Sequence, residues 1–182
     1  FNSHAVETMR SLKVEMDKIV GVDKYTKEDK DFYPELNESS ANLGSIVTPD
    51  IEKILELQPD LVIQYSTSTY NESVEKMKKA DPNTAVVRFD CWRAPIYIDE
   101  VKKLGYILGK KEDADEFVEF YKGWMDAVGE KVKDNPEDER PKVYIEAYSP
   151  YQSSGNKYGW HEIIEMAGGH NIFGDISADR IT

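Results

Sequence analysis

The sequence predicts an α/β fold, and three observations carry that expectation. Short apolar runs alternate with helical patterns as far as Leu108, which implies parallel strands joined by right-handed crossovers. A single apolar stripe then keeps a helical period from Glu112 to about Lys133. After a charged, proline-bounded turn, the strand–helix alternation starts again at Lys142.

Residues 5–12 put Val6, Met9 and Leu12 on one face and read as a short helix. Ile19-Val20-Gly21-Val22-Asp23 is a brief apolar run that reads as a buried strand. From Lys24 to Ser40 the chain is charged, contains Pro34 and shows no period, so a long surface loop is expected. Thr48-Pro49-Asp50 opens a helix, with Thr48 or Asp50 as the cap and Ile51, Ile54, Leu55 and Leu57 facing inward. Pro59 stops it, and Leu61-Val62-Ile63 forms the next strand.

A helix over 72–80 then turns Val74 and Met77 inward, and residues 85–89 form a third strand. Ile98, Val101, Leu104 and Leu108 share one side of a helix over 96–108. In the long stripe the apolar residues are Ala114, Phe117, Val118, Tyr121, Met125, Val128 and Val132. They span roughly six turns, or about 35 Å at 1.5 Å per residue. Residues 134–141 end that helix, 142–147 read as a strand, 148–157 as a Ser/Gly/Tyr-rich loop, and 160–167 as a helix closed by Gly168-Gly169. A second sheet holding only the 142–147 strand could not close a core, so a fragment, or strands borrowed from a partner, is expected.

Composition excludes several classes. At 182 residues the chain can bury a core, as one domain or two small lobes. A net charge of −12 argues against a nucleic-acid surface and reads otherwise as a solubility device. No apolar run approaches the ~20 residues a membrane span needs. The start, Phe1-Asn2-Ser3-His4, does not read as a signal peptide. Cys91 is the only cysteine, which rules out an internal disulfide and a multi-cysteine zinc site, and it reads as a small buried apolar residue.

In open α/β sheets, ligands bind beyond the carboxyl ends of the strands. That rule selects the loops at Asp23-Lys24-Tyr25, at 65–70, at Asp90-Cys91-Trp92-Arg93, and at 148–155. Tyr65, Tyr70, Trp92, Tyr148 and Tyr151 offer flat faces with polar edges that suit a large, partly aromatic chelate. Arg93 offers a donor fork for a carboxylate, a catecholate or another anion. The candidate binding residues are Tyr25, Tyr65, Ser66, Trp92, Arg93, Tyr148 and Tyr151. Each aromatic has a structural alternative as satellite core under a loop, and Arg93 has one as a surface salt bridge. His4, His161 and His170 do not cluster, so a bare metal ion is disfavoured, and no resident cofactor is expected.

Five segments in this order resemble the solute-binding proteins that capture ferric siderophores, haem and cobalamin for ABC importers. They are residues 19–23, Leu43-Gly44 with 49–63, 108–114, 140–144, and 165–173. The resemblance implies two parallel-sheet α/β lobes around a cleft, joined by one long backbone helix. Residues 1–109 would be a nearly complete N-terminal lobe lacking its first strand, 110–135 the connecting helix, and 141–182 the start of a truncated C-terminal lobe. It implies an extracytoplasmic place, lipid-anchored or tethered, with a metal chelate (a ferric siderophore first, cobalamin, haem or a bare ion as alternatives) and a membrane permease as partners. It also gives Glu52 a role in docking on permease arginines, where the alternative is a first-turn carboxylate complementing its helix dipole. An enzyme is the main rival, including a chelatase-like one of related fold, yet no G-x-S-x-G, P-loop or G-x-G-x-x-G occurs.

Overall fold

The computed structural model describes residues 2–147 and 149–182, and of Ser68 the backbone alone. It divides into two units: Phe1–Cys91 with Glu100–Ala114, and Trp92–Asp99 with Asp115–Thr182.

Unit 1 opens with α1 (Ser3–Ser11), which buries Ala5, Val6, Thr8 and Met9. Its cap is Asn2, whose Oδ1 accepts the Ala5 N–H at 2.9 Å while Nδ2 donates to the Phe89 carbonyl at 2.6 Å. One side chain thus caps a helix and ties it to the end of a distant strand. β1 (Gly21–Val22) pairs in parallel with β2 (Ala41–Asn42), Gly21 opposite Ala41. β3 (Val62–Gln64) pairs in parallel with β4 (Val86–Arg88), Val62 opposite Val86. A cavity of about 300 Å³ is lined by Ile63 of β3, by Val20 just before β1, and by Val6 and Met9 of α1.

The stretch 24–40, expected to be a loop, instead holds α2 (Lys24–Glu28) and α3 (Pro34–Ser39). Both helices are too short to show a period, and polar capping builds them. Asp23 accepts the N–H groups of Tyr25 and Thr26 at 3.0 and 3.2 Å. Pro34 opens α3, Leu36 and Tyr33 are buried, and the Lys27 ammonium donates to the carbonyls of Leu36, Asn37 and Ser40. These helices carry the chain to β2, a strand the sequence reading lacked.

α4 (Ile51–Glu56) is capped by Asp50, one of the two candidates, whose carboxylate accepts the Lys53 N–H. With α5 (Asn71–Ala80) it closes the core of unit 1 around Leu43, Ile54, Val62, Val74 and Met77. Burying such side chains stabilises the fold by roughly 1.5–3 kcal/mol each. α6 (Ala94–Ile107) ends at Gly109, at φ +67°, where the Lys110 N–H reaches the Gly105 carbonyl and the Gly109 N–H the Tyr106 carbonyl. α7 (Lys111–Val132) begins directly after it.

In unit 2, Tyr97 meets Phe117 and Tyr121 of α7 edge-on. β5 (Lys142–Val143) is shorter than the expected 142–147 strand. α8 (Gly159–Met166) leads back to β6 (His170–Asn171), which pairs in parallel with β5. The second sheet therefore has two strands, against the single strand expected, because the Gly168-Gly169 turn returns the chain alongside β5. Along α7, Val118 is buried while Trp124 is 64% exposed. No helix among the described residues is long and apolar enough to cross a membrane.

Candidate functional site

In unit 1, the residues that follow the strands meet at one rim. Tyr65 leaves β3 with its hydroxyl 3.2 Å from Ser3 Oγ, its ring edge-on to His4 at 6.0 Å and tilted against Tyr70 at 5.7 Å. Burial pushes its phenol up to about 12. Ser66 is exposed, and its N–H donates to Asp90 Oδ1 at 3.3 Å.

Arg88 fixes this loop from the end of β4. Its Nε donates to the Tyr65 carbonyl at 3.2 Å, Nη2 to the carbonyls of Ser66 (3.0 Å) and Thr67, and Nη1 to Asn71 Oδ1 at 2.7 Å. A planar fork of donors suits that task, since one guanidinium reaches four acceptors of the same loop.

Tyr25, in the first turn of α2, is exposed, and the Lys24 ammonium lies 4.8 Å from its ring centre. Beside it is a cavity of about 290 Å³ lined by Ser3, Glu7, Tyr25, Asp29 and Tyr33. The Tyr33 hydroxyl donates to Glu7 Oε1 at 3.1 Å, and burial together with the Glu7 charge raises its pKa.

Three acids lie beneath the rim: Asp23, Asp90 and Glu100, exposed by 1, 3 and 7%. N–H and O–H donors hold them. Thr26 Oγ1 donates to Asp23 at 2.8 Å, and Glu100 accepts the N–H groups of Asp90 and Cys91. Cys91 is buried, as expected, and sits at φ +56°.

In unit 2, Trp92 is half-buried, 5.1 Å from the Tyr158 ring and 6.5 Å from Trp160. A Cβ at Gly159 would lie 2.4 Å from the indole, so only glycine lets α8 begin this close to it. The Arg93 fork is already engaged: Nε donates to Glu162 Oε2 at 3.3 Å and Nη2 to Oε1. Tyr151 is 85% exposed at φ +63°, its N–H donating to Glu146 Oε2 at 3.0 Å. Tyr148 lies outside the described residues. His161 packs against Asn171 with Nδ1 3.5 Å from Nδ2, and among the described residues no group of three or more His, Cys, Asp or Glu could hold a metal. Glu52 stands exposed in the first turn of α4.

Tyr25, Tyr65 and Ser66 thus belong to unit 1, and Trp92, Arg93 and Tyr151 to unit 2. Ser3, His4, Tyr33 and Arg88 were missed by the sequence reading. One signal was available for Arg88, a charged residue inside the apolar run 85–89.

The sequence pattern of the periplasmic binding protein family matches residues 3–181. The chain belongs to that family. It is 27% identical to an uncharacterized ABC transporter substrate-binding lipoprotein of Bacillus subtilis strain 168, over 71% of this chain and 40% of that protein. It is 22% identical to the iron-uptake system-binding protein of the same organism, over 76% and 42%. Its fold superposes on the periplasmic vitamin B12 binding protein BtuF of Vibrio cholerae with a TM-score of 0.76 at 20% identity, covering 98% of this chain and 66% of that one. The chain therefore spans about two fifths of the length of the curated relatives it matches. Family and fold are those of two-lobed α/β binding proteins with a long helix, and the family is one of binders rather than enzymes.

Proposed function

We propose that this chain is part of the extracytoplasmic solute-binding component of an ABC importer, and that it captures a metal chelate, with a ferric siderophore as the first candidate. The observation that carries this reading is the phenolic rim beyond β3, where Tyr65, Tyr70 and His4 offer ring faces and edges to a large ligand. Ser66 and Tyr25 are exposed residues of the same rim. Family membership and the importer relatives support delivery to a permease, with Glu52 exposed and suited to meet its arginines. The iron-uptake relative supports iron, and the vitamin B12 binding neighbour keeps cobalamin in the panel.

Tryptophan fluorescence tests the reading with ferric hydroxamates, ferric catecholates, haem, cobalamin and free metal ions. Saturable quenching by one chelate, weakened in Tyr65→Ala and Trp92→Phe, is the expected outcome. Saturation by a bare divalent ion alone would sink the proposal.

A further inference from the structure

α7 carries two seams, each at the alternating spacing of three and four residues that packs one helix along another. Val118, Tyr121, Met125, Val128 and Val132 form the first. It is used within unit 2: Val118 is buried, and Tyr121, Met125 and Val128 line a groove of about 290 Å³ that Ile163 and Met166 of α8 also line. Phe117, Phe120, Trp124, Ala127 and Lys131 form the second, one residue back and hence about 100° round the helix.

This second seam is open where it is most apolar. Phe120 and Trp124 are 63 and 64% exposed, and their rings meet edge-on at 6.5 Å. Gly123 and Ala127 beside them are exposed too, and a Cβ at Gly123 would meet nothing within 4 Å. Contiguous aromatic surface of this kind marks a contact face. The face is also graded along its length, with large rings at 117–124 followed by the small Ala127 and the long stem of Lys131.

We propose that the occupant is a second copy of this chain, docked antiparallel along α7 about a two-fold axis between Met125 and Asp126. Each Trp124 then packs on the partner's Ala127. Each Phe120 ring lies against the partner's Lys131, whose stem is apolar and whose ammonium the ring attracts. A two-fold interface must complement itself, and the antiparallel direction sets large on small. A parallel pairing would set Trp124 on Trp124 and leave Ala127 facing Ala127. The two rings bring roughly 200–300 Å² of exposed surface per copy. With the flanking stems the contact buries on the order of 1,000 Å² in total, the low end for a specific interface, so the dimer is a micromolar one. It is independent of the chelate reading.

Sedimentation equilibrium of the full chain tests the pairing. About 0.15 M salt screens the repulsion between two copies of net charge −12 beyond about 8 Å. Across the micromolar range the average mass should rise from 20.9 kDa towards twice that value. Trp124→Lys should weaken association at least tenfold, with the circular dichroism unchanged because the site is exposed. Ala127→Trp should weaken it too, although it adds apolar area, and Trp124→Ala in the same chain should restore most of the loss. Association that Ala127→Trp strengthens would show undirected adhesion and overturn the proposal. A chain that stays monomeric at every concentration would overturn it as well. If the tryptophan emission of that monomer shifted to the blue on phosphatidylcholine vesicles, the face would belong to a lipid surface instead.

Discussion

Glu100 holds Cys91 in the left-handed region. Its carboxylate accepts the Cys91 N–H at 2.7 Å and the Asp90 N–H at 2.9 Å, and Cys91 sits at φ +56°. A buried acid therefore shapes the turn that follows β4, and Asp90 in turn receives the Ser66 N–H. Two loops of the candidate rim hang on one side chain of α6.

Removing that acceptor leaves two buried N–H groups unpaired. Glu100→Ala should destabilise the chain by about 2–4 kcal/mol, while Glu100→Gln, which keeps one acceptor oxygen, should cost roughly half of that. Urea unfolding of the two variants checks the ordering. Equal losses would mean that the cavity left behind, not the hydrogen bonds, dominates.

Arg88 should act on the 65–71 loop more than on global stability. Arg88→Lys offers a point charge that cannot span four acceptors. Amide exchange at Ser66 and Tyr70 should speed up by at least an order of magnitude, with the core amides of α5 unchanged. Unaltered exchange at both positions would show that the loop holds its shape by itself.

These polar devices mark where the sequence stopped being legible. Apolar period located α1, α4, α5, α6 and α7, with Val74 and Met77 buried on α5 as expected, and the Gly168-Gly169 stop located α8. α2 and α3 bury too little to leave a period, and their causes lie in Asp23, Lys27 and Pro34, which read locally as loop residues. β2 and β6 are two residues each, so no alternation could register. At the site, the rule that ligands bind beyond the carboxyl ends of strands pointed to Tyr65 and Tyr25. His4 and Ser3 escaped because they reach Tyr65 across 61 and 62 positions of chain, by a packing that no local pattern records.

Cys91 and Tyr65 set an alkaline limit. Burial raises the thiol from 9.0 to about 12 and the phenol from 10.0 to about 12. Both folded forms hold their proton more tightly than the unfolded chain does. Their contribution is therefore fully present below pH 9, and is lost between pH 9 and 12 for the thiol and between 10 and 12 for the phenol, on the order of 1 kcal/mol per pH unit and group. A urea series from pH 7 to 11 should show a plateau and then a decline. At pH 8 a thiol reagent should label native Cys91 at least a hundredfold more slowly than the unfolded chain.

The Arg93–Glu162 pair contributes little to stability. Its side chains are 37% and 23% exposed, and a pair that wet couples by less than about 1 kcal/mol. A double-mutant cycle with Arg93→Met and Glu162→Gln measures this directly. A coupling of several kcal/mol would point to a desolvated pair and to a structural rather than a ligand-facing Arg93.

The junction of α6 and α7 should tolerate no added methyl. A Cβ at Gly105 would lie 2.4 Å from the Ala114 Cβ and 3.0 Å from the Lys110 carbonyl oxygen. Ala114 is buried, and the Gly105 carbonyl accepts the Lys110 N–H that closes α6. Alanine favours a helix interior over glycine by about 1 kcal/mol. Overpacking opposes that by typically 1–3 kcal/mol, and more where backbone must move. Here one of the close atoms is backbone, so Gly105→Ala should lower stability by about 2 kcal/mol or more despite its propensity. Gly123→Ala on α7, where a Cβ meets nothing within 4 Å, is the matched control and should raise it. If both substitutions stabilise, the two helices have room to separate, and the close approach at Ala114 does not constrain the turn between them.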